Sequence, residues 1–283
     1  MTVTIEGAIQ EGAERLREGA VNEARREAGS LLAHVLGRDR GFVIAHAGDS
    51  LAEGQYHDFQ RLILRRTRGE PLQYIIGHRE FFKLEFEVSP DVLIPRPETE
   101  LIVEAALELC RDEPAPSIGD IGTGSGCIAI SVLHELPAAV AVATDTSPAA
   151  LKVAQRNAER HGVQERLTLV ESDCFAAVSL TKPFSLIASN PPYVSEAELE
   201  RVPPEVRFEP RAALAGGTDG LSIIRRLLSE GRPFIRPGGH LVFEIGFGQS
   251  EPVEKLIDRR AWKLIEIRRD LQDIPRTFVL QAR

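Results

Sequence analysis

The sequence predicts an α/β fold with a mostly parallel sheet, preceded by a small helical domain. From about residue 97 onward, short apolar strands alternate with amphipathic helices, which is typical of a parallel sheet covered by helices on both faces. Before about residue 72, apolar residues recur only at helical spacing. The change of pattern between these two regions predicts the domain organisation.

Residues 1–72 are predicted to form a helical bundle that is too short for a deep cavity, which we interpret as a substrate-recognition domain. Apolar residues at helical spacing predict helices over about 5–16, 24–36 and 54–68. The third helix carries a cluster of arginines, interpreted as a solvated helix face, with a partner-docking patch as the alternative. The cluster consists of Arg61, Arg65, Arg66 and Arg68.

Residues 73–96 are predicted to be a linker containing a β-hairpin, because apolar and charged residues partly alternate there. Residues 97–283 then form the second domain. Its predicted strands are 117–121, 139–144, 167–170, 184–188, 240–245, 262–268 and 277–280. Its predicted helices are about 101–109, 126–136, 148–160 and 251–259.

The composition of the chain argues against several kinds of binding partner. The chain has 283 residues and a formal net charge of −8, which argues against a protein that mainly grips duplex nucleic acid. It has no apolar stretch long enough for a membrane span and no secretory signal pattern, so a cytoplasmic protein is expected. Three separate cysteines and scattered histidines form no metal-ligand spacing, so no metal is expected.

A glycine-rich turn follows the first predicted strand of the second domain. Glycines at alternate positions permit a tight turn and let a ligand approach the backbone, and the next helix offers free N–H groups. The spacing differs from the GxGxxG of dinucleotide sites, and the preceding acid favours an amino-bearing ligand over a pyrophosphate. The candidate cofactor-binding residues here are Asp120, Gly122, Thr123, Gly124, Ser125 and Gly126.

Acidic residues also follow the next two predicted strands. Asp145 ends the second strand, where a carboxylate can accept both hydroxyl groups of a ribose, although capping of the helix near Pro148 is the alternative. After the third strand, Asp173 can accept from an adenine amino group, with Cys174 and Phe175 beside it. Capping of this loop is the alternative interpretation.

The strongest motif is Asn190-Pro191-Pro192-Tyr193, directly after the fourth predicted strand. The prolines fix φ and remove two N–H donors, which leaves carbonyl oxygens available as acceptors. Asn190 adds a side-chain acceptor and Tyr193 an aromatic face. Rigid acceptors beside an aromatic ring suit an NH2 group on a planar π-system. We therefore predict that all four residues bind substrate and that Asn190, Pro191 and Tyr193 are catalytic.

An amide nitrogen is a poor nucleophile because its lone pair is delocalised into the carbonyl. Two acceptors that hold its hydrogens can fix the nitrogen so that this lone pair points at an electrophilic methyl group. Holding reactants in line contributes roughly 7–11 kcal/mol in well-oriented systems. Such a site needs neither a metal nor a strong base.

Together these motifs resemble class I S-adenosylmethionine-dependent methyltransferases and, more narrowly, the bacterial and organellar release factor N5-glutamine methyltransferases. The narrower resemblance covers nearly the whole chain and is more specific than Asn-Pro-Pro-Tyr alone, which adenine-N6 methyltransferases share in similar form. It includes Gly69-Glu70-Pro71-Leu72, Arg79-Glu80-Phe81-Phe82, Leu93-Ile94-Pro95-Arg96-Pro97-Glu98-Thr99-Glu100 and Val206-Arg207-Phe208-Glu209-Pro210.

The resemblance implies a seven-stranded Rossmann-like catalytic domain and an N-terminal domain that helps to bind release factors. The implied reaction moves a methyl group from S-adenosyl-L-methionine to the glutamine of the factor's Gly-Gly-Gln loop, which tunes translation termination and leaves S-adenosyl-L-homocysteine. By match, residues 122–126 contact the methionine part and Asp145 the ribose. Asn190 lies beside both the methyl group and the glutamine amide. One departure is Cys174, where relatives often carry an aromatic residue.

For two segments the sequence leaves two structural roles open. Residues 96–100 are a helix start, with Pro97 at the first helical position, or a lid over the cofactor. Residues 208–210 line the substrate groove or form a surface loop.

Three other functions are disfavoured. An adenine-N6 methyltransferase acting on DNA or RNA would use the same acceptors, but the acidic charge and the lack of an obvious basic recognition domain argue against a nucleic-acid substrate. A catalytically silent cofactor-binding scaffold would not need an intact 190–193 motif. A nicotinamide dehydrogenase would need a different glycine spacing.

Overall fold

The computed structural model describes residues 3–179 and 182–283, and the chain divides into two compact units. The first unit comprises Met1–Gly77 together with Pro203–Phe208, and the second comprises His78–Val202 and Glu209–Arg283. The residues of the predicted linker, 73–96, therefore fall on both sides of the division. The predicted hairpin lies in the second unit.

The described part of the first unit contains five α-helices. They are α1 (Ile5–Glu18), α2 (Ala24–Leu36), α3 (Arg40–Ala45), α4 (Glu53–Thr67) and α5 (Leu72–Ile76). The long helices α1, α2 and α4 follow the predicted periodicity, whereas α3 and α5 are too short to show one. Their apolar faces form a single core around the fully buried Leu16, Leu31 and Phe59.

Local side-chain chemistry sets the ends of these helices. The Thr4 hydroxyl oxygen accepts from the Gly7 N–H at 3.1 Å, and the Asp39 carboxylate accepts from the Phe42 N–H at 2.7 Å, so each caps a helix start. Gly37 ends α2 in the left-handed conformation, with φ of 61°.

Three arginines of the predicted cluster have acidic partners within the first unit. Arg66 is 3% exposed and donates to both Glu27 and Glu205 at 2.5 Å. Arg61 pairs with Asp58, and Arg65 with Glu70. Arg66 is therefore an internal structural residue, and the alternative of a docking patch is wrong for this side chain.

The second unit begins with the hairpin β1 (His78–Phe81) and β2 (Leu84–Glu87), which pair antiparallel. The other strands are β3 (Ser117–Ile121), β4 (Val140–Asp145), β5 (Leu167–Glu171), β6 (Phe184–Ser189), β7 (Ile235–Glu244), β8 (Trp262–Arg269) and β9 (Pro275–Ala282). The helices are α6 (Glu100–Cys110), α7 (Cys127–Glu135), α8 (Pro148–Arg160), α9 (Glu196–Leu199), α10 (Arg211–Leu214), α11 (Ser222–Glu230) and α12 (Ser250–Leu256).

Strands β3 to β9 form one sheet, which within the described residues has seven strands in the order β5-β4-β3-β6-β7-β9-β8. All neighbours from β5 to β7 pair in parallel, and β9 runs antiparallel to both β7 and β8. The predicted α/β, seven-stranded Rossmann-like class is confirmed. The strand order reverses between β3 and β6, which makes this pair the topological switch point.

Both faces of the sheet are buried, which is why its strands read as nearly continuous apolar runs. Val242 of β7 packs in a core with α6 and α7, whereas Leu241 and Phe243 pack in a second core with α11 and α12. Helix α11 was not predicted, although its buried residues Ile224 and Leu227 have helical spacing.

Within residues 3–179 and 182–283, no helix has the length and apolarity to cross a membrane. Over the same range, no cluster of three or more histidine, cysteine or acidic side chains is arranged to hold a metal ion. The cysteines Cys110, Cys127 and Cys174 are buried and free.

Asn157 of α8 joins three parts of the second unit. Its Oδ1 accepts from the Glu87 N–H at 2.7 Å, and its Nδ2 donates to the carbonyls of Glu87 at 3.0 Å and Ser125 at 2.9 Å. The side chain is fully buried. One amide therefore fastens the hairpin strand β2 and the glycine-rich turn to the same helix.

We expect Asn157→Ala to lower the free energy of unfolding by about 2–3 kcal/mol, because it leaves buried backbone groups of Glu87 and Ser125 without a partner. Urea unfolding measures this change. Asn22→Ala removes an exposed amide and is the matched control. Equal unfolding midpoints for the two variants would show that the Asn157 amide is dispensable.

Candidate active site

The candidate site is a cleft at the carboxyl ends of the parallel strands, over the switch point between β3 and β6. It is lined by the loops that follow β3, β4, β5 and β6, and by residues from 91–95 and 210–213. The Ser189 hydroxyl at the end of β6 donates to the Ile121 carbonyl at the end of β3, at 2.7 Å. This bond fixes the two strand ends from which the glycine-rich turn and the 190–193 motif depart.

The glycine-rich turn is built from backbone conformations that residues with a side chain rarely adopt. Gly122, Gly124 and Gly126 all have positive φ, between 54° and 83°. At Gly126 a Cβ atom would also lie 2.7 Å from Ile130 Cδ1 and 3.3 Å from Ala154 Cβ, so a side chain there would force its neighbours to shift in addition to straining the backbone. The N–H groups of Gly122 and Thr123 donate to the Thr144 carbonyl, which holds the turn against β4.

Asp120 is fully buried behind this turn. Its Oδ2 accepts from the Thr123 hydroxyl at 2.7 Å and from the Ala129 N–H at 3.2 Å, in the first turn of α7. Its Oδ1 is buried with no hydrogen-bond partner among the described residues. A buried carboxylate with a spare acceptor creates a negative potential beside the cleft, which favours a cationic ligand group.

Asp145 ends β4 and lines the cleft. Its two oxygens accept from the N–H groups of Gly124 and Ser147, each at 2.9 Å. Burial raises its pKa, against these hydrogen bonds. The alternative role as a helix cap is wrong, because the Ser147 side chain caps α8 by accepting from the Ala150 N–H. Each Asp145 oxygen retains lone-pair capacity for hydroxyl donors.

The loop after β5 differs in part from its prediction. Asp173 and Cys174 line the cleft, and Cys174 has a positive φ of 49°. Asp173 is held by Arg226, whose Nη1 lies 2.6 Å from its carboxylate. Phe175 does not reach the cleft, because its ring stacks on Phe234 in the apolar core.

The 190–193 motif is enclosed by neighbouring backbone. A Cβ atom at Gly216 would lie 2.7 Å from the Pro192 carbonyl oxygen, so that loop approaches closely only because it has a glycine there. The Tyr193 carbonyl accepts from Gln249 Nε2 at 2.9 Å and is therefore not a free acceptor. The predicted acceptors Asn190 and Pro191 both line the cleft.

Asn190 and Tyr193 are joined through two residues that the sequence analysis did not single out. Asn190 Nδ2 donates to Thr99 Oγ1 at 2.9 Å, and the Thr99 hydroxyl donates to Glu244 Oε2 at 2.6 Å. The Tyr193 hydroxyl donates to Glu244 Oε1 at 3.1 Å. Thr99 and Glu244 are each 1% exposed, so water does not replace these bonds.

The electrostatics of this network follow from burial. Burial raises the pKa of Glu244 from 4.5 to about 7, with Glu98 raising it further and Thr99, Tyr193 and Arg276 opposing the shift. Burial, with the nearby Glu244 charge, also raises the pKa of Tyr193, so its hydroxyl stays protonated and donates.

The structure brings most of the predicted site residues together. The predicted residues that line the cleft are Gly122, Thr123, Gly124, Ser125, Asp145, Asp173, Cys174, Asn190, Pro191 and Pro192. Four others lie outside the described lining, namely Asp120, Gly126, Phe175 and Tyr193. Asp120, Gly126 and Tyr193 shape the cleft from behind, whereas Phe175 belongs to the core.

The two segments that had two interpretations each, residues 96–100 and 208–210, both contribute to the cleft. Pro97–Thr99 is a 3-10 turn that leads into α6, which is the predicted helix start, and Pro95 and Thr99 also line the cleft. Pro210 lines the cleft as well, and the buried Glu209 binds Arg96 at 2.5 Å. The signal that sequence reasoning missed is Glu244, a carboxylate at the end of an otherwise apolar strand.

Two family models match the chain. Residues 7–77 match the PrmC N-terminal domain, and residues 99–203 match the methyltransferase small domain.

Curated relatives match over nearly the full length. A protein from Moorella thermoacetica named release factor glutamine methyltransferase is 45% identical over 254 residues, which cover 90% of this chain and 89% of the relative. A protein of the same name from Koribacter versatilis is 39% identical over 278 residues, or 98% of each chain. The solved structure of ribosomal protein L11 methylase from Lactobacillus delbrueckii subsp. bulgaricus has a TM-score of 0.51 at 20% identity, covers 69% of this chain and 84% of its own, and shows the fold.

The stability of the ligand-free protein should depend on pH through Asp120. Burial raises the pKa of this carboxyl from 3.8 to about 6, so its contribution to stability is present below about pH 3.8 and lost as the pH rises through about 6. We expect the wild type to lose on the order of 3 kcal/mol of unfolding free energy from this group between about pH 4 and 7.

Asp120→Asn keeps one oxygen for both donors and should lose much less stability over the same range. Urea unfolding at a series of pH values measures the difference, with the exposed Asp112→Asn as control. Parallel stability curves for wild type and Asp120→Asn would contradict the assignment.

Proposed function

The chain belongs to the release factor glutamine methyltransferase family, and we propose that it transfers a methyl group from S-adenosyl-L-methionine to the side-chain amide nitrogen (N5) of the glutamine in the Gly-Gly-Gln motif of peptide-chain release factors. The family predicted from the sequence motifs is confirmed by the relatives that share 39–45% identity. The observation that carries the proposal is the meeting of the glycine-rich turn and the 190–193 motif at one switch point.

The residues of the cleft fit S-adenosylmethionine. The open backbone of residues 122–126 allows close approach of its methionine part, and the spare oxygen of Asp120 supplies negative potential near its amino group. The Asp145 carboxylate, at the end of β4, can accept from the ribose hydroxyls. When bound, the cofactor supplies an electrophilic methyl carbon on a sulfonium.

For the adenine part we propose Cys174 and Ile223, because both are apolar and line the cleft. Burial raises the pKa of the Cys174 thiol to about 11, so it acts as a neutral apolar contact. Asp173 can also accept from the adenine amino group, because its carboxylate keeps acceptor capacity beside Arg226.

The substrate amide is proposed to lie against Asn190 and Pro191. The oxygen of the Asn190 carboxamide and the carbonyl of Pro191 hold its two hydrogens, and Tyr193 supports the pocket from behind through Glu244. Holding the nitrogen in line with the methyl carbon contributes roughly 7–11 kcal/mol in well-oriented systems. When the nitrogen gains the methyl group, one of its two hydrogens leaves as a proton to water, and the product is a neutral secondary amide.

We further propose that the first unit helps to recognise the release factor, since residues 7–77 match the PrmC N-terminal domain and precede the methyltransferase small domain matched at 99–203. The alternative, adenine-N6 methylation of nucleic acid, is not favoured. The relatives are named for a protein substrate, and the chain carries a net charge of −8.

The decisive experiment is mass spectrometry of a purified release factor after incubation with the full chain and S-adenosylmethionine. We expect one added methyl group on the glutamine of the Gly-Gly-Gln motif. A parallel incubation with DNA and RNA tests the alternative. Methyl transfer to nucleic acid without transfer to the release factor would overturn the proposal.

Asn190→Ala should reduce kcat for release factor methylation by roughly 100-fold or more, while cofactor affinity changes by only about twofold, because the lost contact acts on the substrate amide. Initial rates with labelled cofactor and calorimetry of cofactor binding separate the two effects. A variant that methylates release factor at the wild-type rate would exclude the acceptor role.

Asp145→Ala should weaken cofactor binding by roughly 10- to 100-fold, because hydrogen bonds to a charged acceptor are worth about 1.5–3 kcal/mol each. Calorimetric titration measures the affinity, and the exposed Asp112→Ala serves as control. Unchanged affinity in Asp145→Ala would remove this residue from the proposed site.

A further inference from the structure

We propose that Thr99 and Glu244 are positioning residues: their hydrogen-bond chain orients the Asn190 carboxamide so that its oxygen, and not its NH2 group, faces the substrate amide. The inference deepens the function proposed above and rests on it for its catalytic consequence. Its structural part, the orientation of one side chain, concerns the protein alone.

The direction of each hydrogen bond follows from the donors available. An ionised carboxylate only accepts, so the bond between Glu244 Oε2 and Thr99 must use the proton of the Thr99 hydroxyl. That hydroxyl has one proton, so towards Asn190 it can only accept. The group that can donate to it at 2.9 Å is the Asn190 NH2. The opposite end of the planar carboxamide is its oxygen.

This constraint matters because the two ends of a carboxamide are nearly the same size. Rotation by 180° exchanges oxygen and NH2 with little steric change, so packing alone does not choose between them. With the NH2 group turned to the cleft, Asn190 would present donors to a substrate group that itself donates. The buried Glu244 carboxylate, acting through Thr99, disfavours this wrong orientation.

The three hydrogen-bonded residues are held in place because each lies at the end of a different helix or strand. Thr99 closes the 3-10 turn before α6, Asn190 follows β6 and Glu244 ends β7. The second oxygen of Glu244 accepts from Tyr193. One carboxylate thus holds both ends of the 190–193 motif, one through Thr99 and the other directly.

The same logic gives a pH dependence. A protonated Glu244 can donate to Thr99, which then donates to the Asn190 oxygen, and the NH2 group turns to the cleft. Burial places the pKa of Glu244 near 7, with Glu98 raising it and Arg276, Thr99 and Tyr193 lowering it. We therefore expect kcat to fall as the pH drops through about 7, with cofactor affinity nearly constant.

The first test compares Thr99→Val with Thr99→Ser. Valine keeps the shape of threonine but cannot complete the chain, so kcat for release factor methylation should fall by roughly tenfold or more at constant cofactor affinity. Serine keeps the hydroxyl and should restore kcat to within about threefold of wild type. The reverse ranking would show that the methyl group, and therefore packing, is what matters.

Ser131→Ala is the control, because Ser131 of α7 is fully buried and its hydroxyl has no partner among the described residues. Its kcat should stay close to that of the wild type. Glu244→Gln should lower kcat and abolish the pH dependence near 7. An unchanged pH profile in Glu244→Gln would overturn the role of Glu244.

The second test needs no substrate. In nitrogen-15-labelled protein, the two side-chain amide proton signals of Asn190, assigned with Asn190→Ala, should shift as the pH crosses about 7 in wild type. They should not shift in this way in Glu244→Gln, and in Thr99→Val they should lose the signature of a hydrogen-bonded NH2. If the Asn190 signals were unchanged in both Glu244→Gln and Thr99→Val, the proposed hydrogen-bond chain would be refuted, whatever the substrate.

The two tests separate the two proposals. A wild type that leaves release factors unmethylated but shows these spectral changes would refute the proposed function and support the orientation of Asn190. A wild type that methylates release factors while Thr99→Val keeps its full rate and its Asn190 signals would support the function and refute the orientation.

Discussion

The parallel pairing of β3 with β6 is the constraint on which the site depends. Because the strand order reverses there, the loops leaving the two strands diverge and open a cleft between them. The bond from the Ser189 hydroxyl to the Ile121 carbonyl fixes this junction. The glycine-rich turn and the 190–193 motif, far apart in sequence, are thereby held side by side.

The second theme is the cost of burying carboxylates. Asp120 and Glu244 are both fully enclosed, and burial raises the pKa of each. Apolar residues of similar volume would stabilise the fold more simply. Both carboxylates lie behind the lining of one cleft, where Asp120 can act on a ligand through its charge and Glu244 through the direction of hydrogen bonds.

The fold was predictable because its strands are buried on both faces and its long helices carry regular apolar spacing. The lining of the cleft was predictable where one short motif supplies it, as in residues 122–125 and 190–192. Phe175 was misplaced because nothing in the local sequence distinguishes a ring in the cleft from one stacked on Phe234. Thr99 and Glu244 were missed because their partnership joins positions 145 residues apart.

The short excursion Pro203–Phe208 has a consequence for how the chain can be divided. These residues belong to the helical unit although they are encoded deep within the catalytic half, and one of them, Glu205, neutralises the buried Arg66. An isolated fragment ending near Gly77 would carry that guanidinium with half of its counter-charge missing. The helical unit is therefore discontinuous in sequence, and no single cut yields both units intact.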